Sequence, residues 1–344
     1  MNSSLRVIAA LLAALLLSAP ALAAQDGGSF ADVPEDSWAF ESVHRARDCG
    51  LVSGVAENQF GMGQEVTRAQ YATMLCRLMG WELVSPRQNS FTDNADPGAW
   101  YYSAIETAYA YGALLKLRAT CEPNEPLPRE EMTAMTVRAL GYASLAGIAQ
   151  NDCPFSDVTT NPGYIALAWR MGIVNGVSDS EFAPKAPCRR EEATAVLLRV
   201  YDLLNAELER IDGEAPAGTI FAEPQTGAQK PVPVSPRASL EAVYSAALKA
   251  GAGGEIGLHT APCAQVVTDG AAGPSAPLPE EEFTRLLEDP NTQTYRSARA
   301  HSSYLIHPEE DGSSTVVWYE SEEDLAVKLA LCRLLHIGTV YLAE

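Results

Sequence analysis

The amino-acid sequence predicts a mainly α-helical protein in which one helix–loop–helix unit is used three times, followed by a small α/β domain. The main observation is a fixed period, because Arg68, Arg129 and Arg190 are each separated from the next by 61 residues. A period of this size indicates one structural unit that is repeated, rather than three unrelated helices. After the third copy the period ends, and short apolar segments separated by turn residues take its place.

Each arginine opens an amphipathic segment with a similar apolar pattern. In the first copy, Tyr71 is followed by Met74, Leu75 and Leu78, which is the i, i+3, i+4, i+7 spacing of a helix face that packs against a core. A second shared segment precedes each arginine and ends in a glycine, found at Gly50, Gly112 and Gly172. The pattern therefore predicts two helices in each copy, joined by a turn.

The second helix of each copy begins in a different way. Thr67 and Gln70 have the spacing of a capping box, in which two side chains satisfy the first backbone N–H groups. Pro128 occupies the equivalent position in the second copy, where its fixed φ suits a helix start. Arg189 is the third equivalent and a weaker cap, but the acidic residues after it favour the first turn.

The three copies together resemble the S-layer homology (SLH) domain. The first copy carries the pattern most completely, with Phe30, Asp32, Val33, Pro34, Trp38, Gly50, Gly54, Phe60, Thr67 and Arg68. The second keeps Phe91, Asp93, Trp100, Gly112 and Arg129, and the third keeps Phe155, Asp157, Val158, Gly172, Gly176, Phe182 and Arg190. The resemblance implies a pseudo-three-fold bundle of three SLH repeats. It also implies non-covalent anchoring to the cell wall, through grooves that bind peptidoglycan-linked secondary polysaccharide, often pyruvylated.

The resemblance further implies three kinds of carbohydrate-binding residue. An arginine fork can bind a ketal carboxylate at two points, and a tryptophan face can pack on a sugar ring. Aspartates can accept bonds from sugar hydroxyls or orient the arginines. The residues so implied are Arg68, Arg129, Arg190, Asp32, Asp93, Asp157, Trp38 and Trp100.

Each of these residues also has a structural alternative. The arginines can pair with local carboxylates, the tryptophans can belong to the core, and the aspartates can cap helices or brace turns. We expect Arg68 to contribute most, since the first copy matches the family most fully. Thr160 stands where the third copy would carry a tryptophan.

The N-terminus is predicted to be a secretory signal peptide, residues 1–24. Arg6 precedes an apolar run, and Ala21-Leu22-Ala23 supplies the small residues of a cleavage site. The apolar run is shorter than the roughly 20 residues that span a bilayer. We therefore expect a secreted protein, located at the cell wall or in a surface layer, without membrane contact after cleavage.

Composition divides the rest of the chain into five segments. Three repeats are expected at residues 25–84, 85–147 and 148–208, followed by a linker rich in proline and glycine at 209–237. Residues 238–344 are expected to form a small α/β domain of unknown role.

The end of that domain is similar to the last βαβ portion of glycoside hydrolase family 18, on residues 314–341. Its strand–helix–strand order predicts a parallel crossover. The similarity implies an alternative function, a wall-bound hydrolase with an active site in the C-terminal segment. However, a (β/α)₈ barrel needs about 250 residues, and the family's Asp-x-x-Asp-x-Asp-x-Glu strand does not occur in the sequence. We therefore expect no catalysis.

Charge and cysteine content limit the possible partners and cofactors. The chain has 24 Lys and Arg against 44 Asp and Glu, a net charge of −20, so nucleic acid and anionic membranes are poor partners. The 7 cysteines include no CxxC pair and the histidines show no metal spacing, so we expect neither a metal nor another cofactor. Cys153 and Cys188, which flank the third copy, form the pair to be tested as a disulfide.

Overall fold

The structure, a computed structural model, describes residues 30–223, 238–297 and 301–343. The predicted signal peptide, residues 1–24, lies outside the described residues, as does much of the predicted linker. Contacts between residues divide the chain into two compact units, Met1–Asn205 and Ala206–Glu344.

In the first unit each repeat contributes two helices. They are α1 (Phe40–Asp48) and α2 (Arg68–Leu78), α3 (Tyr102–Ala110) and α4 (Arg129–Ala139), and α6 (Pro162–Arg170) and α7 (Arg190–Leu204). Between α4 and α6 lie the short helix α5 (Ala146–Ala149) and two 3₁₀ turns, Ala143–Leu145 and Gln150–Asp152. Helix α2 packs against both α4 and α7, and their apolar faces form the core.

A closed ring of three backbone hydrogen bonds joins the repeats just before their second helices. The N–H of Leu127 donates to the carbonyl of Val66, that of Cys188 to Leu127, and that of Val66 to Cys188, each over 2.9 Å. All three residues are buried. Because buried backbone groups must be paired, each repeat supplies a partner that the other two need.

The described residues of the second unit form ten strands and three helices. The strands are β1 (Glu209–Asp212), β2 (Ile220–Phe221), β3 (Glu255–His259), β4 (Cys263–Thr268), β5 (Ala271–Ala272), β6 (Ala276–Pro277), β7 (Gln293–Ser297), β8 (Ser302–Pro308), β9 (Ser314–Tyr319) and β10 (Thr339–Ala343). The helices are α8 (Leu240–Ala250), α9 (Glu280–Glu288) and α10 (Glu322–Leu334). One sheet has the order β1-β10-β3-β2 and is parallel, whereas β5-β4-β9-β8-β7, with β6 on β4, is antiparallel.

These two sheets show that the prediction of a mainly α protein is wrong. The helical period dominates the first half of the sequence, but the strands of the second unit are short, and few of them carry a long alternating pattern. Strands β1 and β2 also fall within residues 209–221, which composition assigned to a linker. The pairing of β1 with β10 could not be read from composition, because the two strands are far apart in sequence.

The predicted parallel crossover at the C-terminus also differs from the structure. Strand β9 belongs to the antiparallel sheet, whereas β10 pairs in parallel with β3, as in Val340 beside Ile256. Helix α10 therefore leads from one sheet to the other. Within the described residues, no helix is both long and apolar enough to cross a bilayer.

Candidate functional site

The three periodic arginines lie at the three junctions between repeats. Arg190 donates from Nε to the carbonyl of Phe60 and from Nη2 to that of Ser53, both over 2.8 Å. Its guanidinium also lies 5.2 Å from the centre of the Phe60 ring. The last repeat is thereby joined to the first.

Arg129 and Arg68 make the corresponding contacts with the following repeats. Arg129 donates to the carbonyls of Phe182 and Asn175, each over 3.1 Å. Arg68 donates from Nη1 to the carbonyls of Cys121 (2.9 Å) and Glu122 (2.7 Å). Arg68 and Arg190 are buried, with 4% and 6% of their surface exposed. The three arginines therefore hold the repeats together.

The three aspartates brace the turns that receive these arginines. Asp32 accepts from the backbone N–H groups of Phe60, Gly61 and Met62 over 2.7, 2.7 and 3.0 Å. Partial burial on its own would raise the pKa of Asp32, but these donors bring it below its ordinary value. This geometry corresponds to the turn-bracing alternative.

Asp93 and Asp157 repeat the arrangement in the other two copies. Asp93 accepts from the N–H groups of Cys121 and Glu122, and Asp157 from those of Phe182 and Ala183, over 2.7 to 2.9 Å. In both, backbone donors outweigh the effect of burial and lower the pKa.

One residue connects each aspartate to an arginine of the preceding repeat. Phe60 donates its N–H to Asp32 and offers its carbonyl to Arg190. Cys121 and Phe182 do the same in the other two junctions. Since the N–H and the carbonyl of that residue are both bound by charged groups, each turn has a defined position at the junction.

The two tryptophans are the most exposed of the sequence-predicted site residues. Trp38 is 62% exposed and Trp100 is 63% exposed, at equivalent places just before the first helix of their repeats. Trp100 makes an edge contact with Tyr101, with ring centres 5.3 Å apart. In the third repeat Thr160 takes this place, and it donates a hydrogen bond to Glu130.

Three residues, which the sequence analysis did not relate to the arginines of the neighbouring repeats, set the charge around those arginines. These residues stand two positions after each arginine: Gln70, Glu131 and Glu192. Glu131 binds Arg68 at two points, with Oε1 2.8 Å from Nε and Oε2 2.6 Å from Nη2. Glu192 lies 4.0 Å from Arg129. The 61-residue period, applied to these positions, was the signal that could have found them.

The junction between repeats 2 and 3 contains a further charged network. Glu130, which is buried, accepts bonds from Lys185 and Thr160, and Lys185 lies 3.2 Å from the Thr160 hydroxyl. Together with Glu192, this carboxylate offsets the positive charge of Arg129 and Lys185.

The second unit contains a buried ion-pair cluster at the start of α10. Lys328 lies 2.6 Å from Glu320 and 3.1 Å from the Ser302 hydroxyl, and Asp324 lies 2.7 Å from Arg296. Burial favours a raised pKa for Asp324, but hydrogen bonds from Ser303 and the charge of Arg296 lower it. These acidic groups are thus used in packing.

Neither a disulfide nor a metal site is seen in the described part of the chain. All seven cysteines are free thiols, including the tested pair Cys153 and Cys188, and the Cys188 sulfur instead lies 3.2 Å from that of Met132. No group of three or more His, Cys, Asp or Glu in the described ranges is placed to hold a metal ion.

Comparison with known proteins finds one family model that matches two segments of the chain. The model of the S-layer homology domain matches residues 29–72 and 154–194. An amylopullulanase of Thermoanaerobacterium thermosulfurigenes is 32% identical over 183 residues, which are 51% of this chain and 9% of that protein. The S-layer protein sap of Bacillus anthracis is 31% identical over 226 residues, 61% of this chain and 26% of that protein.

This chain thus spans about a quarter or less of the length of these two relatives. A solved structure, the spore cortex-lytic enzyme SleL of Bacillus cereus, has a TM-score of 0.29 and 12% identity over 39% of this chain and 37% of its own. A similarity of that size assigns no fold. The family model thus identifies S-layer homology domains at two of the three repeats, and the relatives include an S-layer protein and a cell surface protein.

Proposed function

We propose that the first unit attaches the protein to the cell wall by binding an acidic secondary polysaccharide, one that carries pyruvyl ketals. The observation that carries the proposal is the exposure of Trp38 and Trp100 at equivalent positions in two repeats. Large aromatic side chains bury much area when they can, so repeated exposure of this degree favours a surface that contacts a ligand. The apolar face of an indole suits a sugar ring.

The arginines supply the charge that such a polymer requires. The chain is acidic overall, so an anionic polymer must be captured locally, by cations that stand close to the tryptophan-bearing repeats. The three arginine junctions provide cations at 61-residue intervals.

The test is sedimentation of the full chain with Gram-positive wall sacculi, before and after extraction of the secondary polymer. We expect extraction to abolish co-sedimentation. The double variant Trp38→Ala, Trp100→Ala should bind at least about tenfold more weakly, from the loss of two aromatic contacts of roughly 1 kcal/mol each. Leu117→Ala is the matched control, because Leu117 is 85% exposed and apolar. Unchanged binding to extracted sacculi would contradict the proposal.

For the second unit we propose a displayed, non-catalytic domain, with the anchor ending near Asn205. The supporting observation is that Glu320 and Asp324, at the start of α10, are committed to Lys328 and Arg296. The relatives include glycosidases, so the rival is a wall hydrolase. Release of reducing sugar from peptidoglycan or chitin by the full chain would favour that rival.

A further inference from the structure

The three junctions differ in whether the chain supplies its own carboxylate to the arginine. At the junction of repeats 1 and 2, Glu131 occupies Nε and Nη2 of Arg68, at 2.8 and 2.6 Å. This two-point pairing is the one that an arginine makes with a ligand carboxylate. The remaining nitrogen of Arg68, Nη1, donates to two carbonyl groups. All three nitrogens of Arg68 are thus engaged within the chain, through four of its five N–H groups, and its charge is already met by a carboxylate.

The reason for this pairing lies at the helix start. In a capping box, the side chain three positions after the N-cap accepts the N-cap N–H. Gln70 does so for Thr67 and Glu192 for Arg189, both over 2.9 Å. Pro128 has no N–H, so Glu131 has no such bond to make and is released to Arg68.

At the junction of repeats 3 and 1 the corresponding side chain carries no charge. Gln70 stands at the position of Glu131, and its oxygen is used by the Thr67 N–H. Among the described residues, no carboxylate lies within 4 Å of the Arg190 nitrogens, and its Nη1 has no acceptor. Burial and the nearby Arg77 lower the pKa of Arg190, and the charge of Asp32 opposes this shift only in part.

Three other charged groups lie near Arg190, and neither of the two carboxylates among them forms an ion pair with it. Arg77 places a second positive charge close to Arg190. It donates to the hydroxyl of Ser53, and the carbonyl of the same serine accepts from Arg190. The carboxylate of Glu191 accepts from the N–H of Gly63 over 2.9 Å, and that of Asp32 is held by three backbone donors. Buried charges are normally paired, so an anion from outside would complete this junction.

We propose that the residue two positions after each arginine decides whether the arginine of the preceding repeat can bind ligand. Glu131 acts as an internal substitute for the sugar carboxylate and closes the junction at Arg68, whereas Gln70 leaves Arg190 without a carboxylate partner. The acidic sugar is then taken at the junction of repeats 3 and 1, next to the repeat that carries Trp38. This inference rests on the proposed function.

The test is a reciprocal exchange, measured by calorimetry on the full chain. The probe is a synthetic methyl glycoside with a 4,6-linked pyruvate ketal, and its methyl ester is the neutral control probe. We expect the unmodified chain to bind one equivalent of the acid. Gln70→Glu should weaken binding at least about tenfold, as expected for loss of one charged hydrogen bond. Glu131→Gln should add a second equivalent.

Gln150→Glu and Glu82→Gln are matched controls, because they make the same charge changes at exposed positions. Thermal unfolding of every variant shows whether it is folded. If the unmodified chain binds the probe and both exchanges leave affinity and stoichiometry unchanged, the inference is wrong and the proposed function stands. If the unmodified chain binds neither the probe nor wall sacculi, the proposed function fails and the inference falls with it.

Discussion

Arg190, in the third repeat, donates from Nε to the carbonyl oxygen of Phe60, in the first repeat, over 2.8 Å. The contact joins residues 130 positions apart and closes the ring of repeats that Arg68 and Arg129 continue. The N–H of Phe60 donates in turn to Asp32. The Arg190 side chain therefore both stabilises the closed ring and keeps a cation at the junction of repeats 3 and 1.

Arg190→Ala should destabilise the first unit. The change leaves the carbonyls of Phe60 and Ser53 without their charged donor, and each such bond contributes roughly 1.5–3 kcal/mol. We expect a loss of about 3 kcal/mol in the free energy of unfolding, measured with urea. Arg189→Ala, at the exposed neighbouring position, is the control. Equal stability of the two variants would show that the contact does not hold the ring.

The turn-bracing aspartates predict a loss of stability in acid. Because the pKa values of Asp32, Asp93 and Asp157 are lower in the folded chain than in the unfolded one, their contribution is complete above the ordinary value of 3.8. It is lost as the pH falls below that value toward their folded pKa values. Asp32→Asn should flatten this acid dependence, whereas Asp36→Asn, an exposed neighbour, should leave it unchanged; urea unfolding at a series of pH values measures both.

The backbone ring predicts that the three repeats open together. The N–H groups of Val66, Leu127 and Cys188 each depend on a different repeat for their acceptor. Amide hydrogen exchange should therefore be slow at all three residues, with similar protection close to that of global unfolding. Early exchange at one of them would indicate that its repeat opens independently.

Lys328→Met should destabilise the second unit. Lys328 and Glu320 are almost fully buried and 2.6 Å apart, and removal of one partner from such a pair costs roughly 3–5 kcal/mol. Lys249→Met, at an exposed position on α8, should change stability little. Thermal unfolding, monitored by near-ultraviolet circular dichroism, compares the two variants. Equal midpoints would argue against a structural role for the Lys328–Glu320 pair.

The free cysteines predict a graded reactivity. Cys49 is exposed, whereas burial raises the pKa of Cys76, Cys121, Cys188 and Cys332 to about 12. Iodoacetamide at pH 8 should modify Cys49 well before these four, which should react only after denaturation. Mass spectrometry of unreduced, denatured protein should show label on both Cys153 and Cys188; absence of label from this pair would reveal a disulfide and contradict the finding of free thiols.

Part of the site was accessible from the sequence because repetition aligns equivalent positions. The period identified the three arginines, the resemblance to the S-layer homology domain implied the three aspartates, and the comparison then matched that family at two of the repeats. The capping box at Thr67 and Gln70 was also predicted and is present in the structure. These features depend on local spacing, which a sequence displays directly.

The second unit was predicted less well for a physical reason. Its parallel sheet pairs β1 with β10 and β10 with β3, so each pairing joins distant segments. Two strands of its antiparallel sheet, β5 and β6, have only two residues each, which is too short to show an alternation of apolar and polar residues. Strand pairing of this kind is decided by packing against the rest of the unit, not by local propensity.

The sequence by itself determined three repeats, their helix starts and the residue types at their junctions. Only the tertiary structure decided what those residues contact: the aspartates hold backbone N–H groups, the arginines hold carbonyls of the next repeat, and Glu131 binds Arg68 while Gln70 stays on its own helix. The reason is that a hydrogen bond between repeats depends on the position of a donor and an acceptor that lie far apart in the chain, and folding alone brings them together.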